Sequence, residues 1–130
     1  MRSTISVLAW VTIMALMSFA AAAAPCLDAA GSREIAQGLL SVGRFKDAAD
    51  RPETAYILRL ASPVCLTGTD EEDKVEGART IHVYSSKVTL QRRLRSLVGR
   101  RIRVEGRPFG AITAHHHAPI VMDVARIAPL

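Results

Sequence analysis

The chain has 130 residues, a formal net charge of +5, 49% hydrophobic residues and only 5% aromatic ones. Once an N-terminal leader is set aside, that length accommodates one domain and excludes two. The only two cysteines, Cys26 and Cys65, have no C-x-x-C spacing, which argues against a thiol redox centre.

Arg2 is followed by an uncharged apolar run from Ile5 to Ala20 and by alanines through Ala24. This is the three-part pattern of a secretory signal peptide. Ala21 and Ala23 supply a cleavage pair, so residues 1–23 are expected to be removed; a cut after Ala22 also fits. A retained anchor is the alternative, but the apolar core is short for a span of roughly 20 residues. No stable membrane span is therefore expected after cleavage. Pro25 before Cys26 argues against lipid attachment. The expected location is periplasmic or secreted. In an oxidising compartment, Cys26 and Cys65 are expected to form a structural disulfide that closes a loop of about 40 residues and contributes about 2–4 kcal/mol.

Residues 24–33, with Pro25, Asp28, Gly31 and Ser32, read as a flexible lead-in to one domain over residues 34–130. The first strand is expected in the later part of Glu34 to Phe45, bent at a glycine; a short helix over Arg33 to Leu39 competes. Thr54 to Leu66 alternates as a half-buried strand, with Tyr56, Leu58 and Leu60 on one side and Ala55, Ile57 and Arg59 on the other. Pro63 marks an edge or bulge in it. Thr67 to Gly77 reads as an acidic, mobile loop. Ala78 to Ser85 is the third strand.

A helix follows over Lys87 to Val98, with Leu90, Leu94, Leu97 and Val98 on one stripe. Ser85 or Ser86 is expected to cap it and Gly99 to stop it. Arg100 to Phe109 alternates again, with Ile102 and Val104 inward and Arg101, Arg103, Glu105 and Arg107 outward. Gly106 and Pro108 are expected to end it. A loop over Gly110 to Pro119 leads to the last strand, Ile120 to Ile127. A helix between the third and fourth of five strands is the order of an OB-like barrel; a small α+β sheet is the alternative fold.

Several segments together resemble a family of small exported bacterial domains of unknown function. They are Tyr56-Ile57-Leu58-Arg59-Leu60, Pro63-Val64-Cys65, Leu97 to Gly106, and Thr113-Ala114-His115-His116-His117-Ala118-Pro119-Ile120 with the strand that follows. The family shares an aliphatic strand ending in Pro-x-Cys, a Gly-Lys/Arg-x-Val-x-Val-x-Gly strand and a Thr-Gly-His-His-His-Thr-Pro-Val segment. The resemblance runs from Gly38 to Ile127 and implies export and one compact domain, but no reaction. Ala114 and Ala118 depart from the Gly and Thr of that pattern.

Two features carry candidate chemistry. His115, His116 and His117 offer imidazole ligands for zinc or copper. Alternate residues of an extended segment share a face, so His115 and His117 would need help from His82, Asp123 or another chain. The plainer reading has one histidine packed on an aromatic ring and another bonded to backbone. The second feature is arginine density: Arg101, Arg103 and Arg107 with Arg92 and Arg95 suit an anionic ligand. Sparse aromatics and export both count against nucleic acid. No G-x-S-x-G, H-E-x-x-H or phosphate-binding glycine loop is present, so whether the chain is an enzyme is left open. The leading expectation is an envelope or periplasmic binding module for an anionic ligand or protein partner. The alternative is a metal-binding protein or metal-dependent enzyme using the histidine loop.

Overall fold

The computed structural model describes residues 25–130; the expected signal peptide lies outside them. The strands are β1 (Cys26–Asp28), β2 (Glu34–Lys46), β3 (Pro52–Thr67), β4 (Val75–Tyr84), β5 (Arg101–Gly110) and β6 (Ile120–Pro129), with one helix, α1 (Val88–Ser96), between β4 and β5. Neighbours run β3-β2-β5-β6-β4, and β4 pairs back onto β3, so the five long strands close on themselves. The β4–β6 pairing is parallel, and the other pairings around the barrel are antiparallel. This is a mostly β, five-stranded, OB-like barrel with its helix between the third and fourth barrel strands.

Alternation builds the interior. In β5, Ile102 and Val104 are fully buried while Arg101, Arg103 and Arg107 are exposed. Leu40, Leu58, Ile81, Val83, Ile120 and Met122 fill the remaining core with no exposure. Leu94 of α1 and Leu97 at its C-cap join that core, whereas Val98 is exposed. Gly99, at φ 86°, then turns the chain back. Its N–H donates to the Leu40 carbonyl at 2.8 Å. Lys87, with no side-chain cap, occupies the N-cap position expected for a serine. Ser85 instead accepts the Lys87 N–H on Oγ and the Gln91 side-chain amide on its carbonyl.

Four local expectations change. The whole of Glu34 to Lys46 is strand, which removes the helical competitor. Its corner is at Gly38 and Leu39, where β2 stops pairing with β5 and starts pairing with β3. The lead-in is not without structure: Cys26–Asp28 pairs in parallel with Cys65–Thr67, beside the Cys26–Cys65 disulfide. β5 runs on through Gly106, at a register shift, and through buried Pro108 to Gly110. The acidic segment makes one 3-10 turn, Glu71–Asp73, and the Asp73 carboxylate accepts the Gly110 N–H at 2.8 Å. Pro63 lies in the β3–β4 register shift between Arg59 and Val64, where the ladder was expected to break. Among the described residues no helix is long and apolar enough to cross a membrane.

Candidate functional site

The β2–β3 hairpin, the outer side of β4 and the β5–β6 loop meet at one end of the barrel. Phe45 and Glu53 face each other across the hairpin. Its turn is held by Asp47, whose carboxylate accepts the Ala49 and Arg51 N–H groups and pairs with the Arg51 guanidinium at 2.9 Å. Glu53 grips the loop. Its Oε2 accepts His115 Nδ1–H at 2.7 Å, and its Oε1 accepts His117 Nε2–H. A carboxylate only accepts, so both ring nitrogens are donors.

His117 is stacked against Phe45, with centroids 4.2 Å apart and planes 8° apart, and lies 5.8 Å from His82. His116 meets Phe109 edge to face at 5.3 Å, and Phe109 meets Tyr84 likewise at 6.3 Å. A belt of rings therefore ties the loop to β2, β4 and β5. Side-chain exposure falls from 63% at His115 to 9% at His117. His116 Nδ1 accepts the Ile112 N–H at 3.0 Å, and His82 Nδ1 accepts the His117 N–H at 3.2 Å. Both contacts of the plainer reading are present, a histidine on an aromatic ring and a histidine on backbone. Ala118 is buried behind them, and Ala114 keeps a negative φ.

Beside the belt, the outer side of β3 carries an open cleft of about 460 Å³. Ser41, Val42 and Thr80 line it; Arg59 and Arg79 flank it; Phe45 and His117 wall one end. The β3–β4 pairing sets Arg59 opposite Thr80 and so brings Arg79 near. Among the described residues neither arginine makes an ion pair.

The arginines singled out by density lie elsewhere. Arg101, Arg103 and Arg107 stand on the outer side of β5, and Arg92 and Arg95 on exposed α1. Arg103 borders a groove with Leu90 and Arg126. Arg107 shares a hollow with Asp123 and Ser85. Asp123 sits on β6 opposite Tyr84 and Arg107. Glu105, on the same outer side of β5, pairs with Arg33 at 3.0 Å.

Residues 80–128 match the model of a family described as a domain of unknown function, DUF4431. The match takes in His82, α1, β5, the three loop histidines and most of β6; it leaves out Phe45, Glu53, Arg59 and Arg79. Of the resemblance noted from Gly38 to Ile127, this supports a small domain of unknown function over residues 80–128. No curated protein matches the chain.

His115 and His117 both donate to the Glu53 carboxylate, while His116 and His82 accept backbone N–H groups on Nδ1. Glu53 thus holds one ring nitrogen of His115 and one of His117, and His116 is turned to backbone. Among the described residues no three His, Cys, Asp or Glu side chains are grouped as a metal ion would need.

The belt makes stability pH-dependent. Burial, then the nearby His117 and His116 charges, push the His82 pKa from 6.5 down to about 4. Burial, then the His115 and His117 charges, also lower His116. The unfolded chain therefore takes up protons first as pH falls. Stability is full above about 6.5, declines toward pH 4, and has no further His82 contribution below that. The His82 shift corresponds to at most about 3 kcal/mol; solvent at this half-buried ring reduces the expectation to ~1–2 kcal/mol. Glu53 acts in a lower window. Hydrogen bonds from His117 and His115 hold its pKa below 4.5, so its contribution is present above 4.5 and lost as pH falls through its folded value. Urea midpoints from pH 7 to 4 should show the decline, and His82→Gln should flatten it. An unchanged slope in that variant would remove His82 as the cause.

Proposed function

We propose that this is an exported, non-catalytic binding module that takes an anionic ligand in the outer cleft of β3, between Arg59 and Arg79. The observation that carries the reading is the pairing of two uncompensated arginines inside a cleft walled by a fixed ring pair. OB-like barrels take ligands at this same face and at its two flanking loops. The histidine loop serves here as the rigid end of the cleft, clamped by Glu53. Its rings are occupied with one another: Phe45 lies over Gly43 and under His117, and His117 lies between Phe45 and His82. That leaves little open ring face for stacked bases, which supports an anion other than nucleic acid. The signal-like N-terminus and the disulfide support an envelope or periplasmic setting.

Titration with two small anions, pyrophosphate and a uronate disaccharide, tests the reading. Amide shifts should concentrate at Ser41–Phe45, Ile57–Leu60 and Arg79–Thr80. Each lost charge-assisted bond is worth about 1.5–3 kcal/mol, so Arg59→Ala with Arg79→Ala should weaken binding by roughly 100-fold or more. Added salt should weaken the wild type and barely affect the variant. Equal binding by both proteins, or shifts scattered over the surface, would reject the cleft.

A further inference from the structure

We infer that the cleft is one end of a longer track, and that its ligand is an extended acidic polysaccharide rather than a compact anion. The inference rests on the cleft reading and adds the class of ligand to it. The register supplies the observation. Leu39 on β2 is paired with Arg59 of β3 on one side and with Arg101 of β5 on the other. Directly opposed residues of antiparallel strands lie on the same sheet face. Thr80, Arg59, Leu39 and Arg101 therefore form one outward row across β4, β3, β2 and β5. The next row sets Gln37 beside Arg103.

Strands lie about 4.8 Å apart, so the Arg59 and Arg101 backbones are separated by about 10 Å. Leu39 between them is 41% exposed. Charge, apolar surface and charge thus repeat along one line. A polysaccharide matches that pattern: its acidic groups meet arginine forks while the C–H face of a ring lies on Leu39. A polymer of bare phosphates would gain nothing from the exposed leucine. Among the described residues none of Arg59, Arg79, Arg101 and Arg103 makes an ion pair. The track ends where the first acidic side chain appears, at Glu105 opposite Ile35, and that carboxylate is already paired with Arg33.

Binding of a uronate octasaccharide and a uronate disaccharide to the folded chain, followed by calorimetry, tests the track. The octasaccharide is expected to bind roughly tenfold tighter or more, because its far end reaches a second set of charges. Arg101→Ala with Arg103→Ala should bring octasaccharide affinity down to the disaccharide level. Arg92→Ala with Arg95→Ala removes the same charge from α1, outside the rows, and should leave the octasaccharide advantage intact. Equal affinity for the two lengths, or an equal loss from the α1 variant, would overturn the track while leaving the cleft in place. Failure of both saccharides and of pyrophosphate to bind would remove the cleft reading, and the track with it.

Discussion

Gly38→Ala is expected to destabilise the barrel by about 3 kcal/mol or more. Gly38 is buried at the corner where β2 exchanges β5 for β3 as its partner. A Cβ there would run into the Arg59 carbonyl group, with Leu58 Cγ 3.2 Å away. Backbone in the middle of a closed sheet cannot retreat, so the pairing itself must open. Gly43→Ala provides the contrast. The atoms that its Cβ meets belong to the Phe45 ring, which can swing at a smaller cost. Urea unfolding of both variants should show the larger loss at Gly38, and anion binding should fall with it because Arg59 shares the displaced segment. A Gly38 variant no less stable than the Gly43 variant would show that the corner tolerates a side chain.

Replacing Cys26 and Cys65 together by serine is expected to cost about 2–4 kcal/mol. The bridge joins positions 39 apart in sequence and holds a strand of only three residues. Besides the covalent link, β1 is fixed by bonds such as Cys65 N–H to the Pro25 carbonyl at 3.0 Å and Ala29 N–H to the Thr67 carbonyl at 2.9 Å. So short a segment does not offset its own ordering entropy without the link. The barrel strands pair without β1, so the double variant should fold, lose amide protection in residues 25–30 and unfold at lower urea. Reductant should lower the wild-type midpoint and leave the variant unchanged. A reductant-insensitive wild type would show that the bridge adds nothing.

The readable parts of this fold were those set by local pattern. Ile102 and Val104 alternate with arginines, Leu94 and Leu97 share a helical stripe, and Gly99 ends it; each could be placed from a few neighbouring residues. β1 could not, because its pairing depends on Cys65–Thr67, distant in sequence. At the candidate site the histidine triplet was visible, but Glu53 was not. Its role depends on the hairpin register and on the distant β5–β6 loop folding onto it. Arginine density drew attention to β5 and α1, whereas Arg59 and Arg79 are twenty positions apart and become neighbours only through β3–β4 pairing. The signal that could have found them was the barrel order itself, which places the second and third barrel strands beside the two loops.

The parallel seam between β4 and β6 has a consequence for the order of assembly. β6 is paired with β5 on one side and β4 on the other, so neither strand has its full set of partners until Ile120–Pro129 is in place. A chain emerging from its N-terminus can form the β2–β3–β4 meander and then α1, but it carries two unpaired strand edges until β6 arrives. During that interval β4 and β5 are templates for other chains. Closure is thus a late, long-range step, which places the domain among slower folders and makes truncation before residue 120 a route to aggregation rather than to a smaller folded unit.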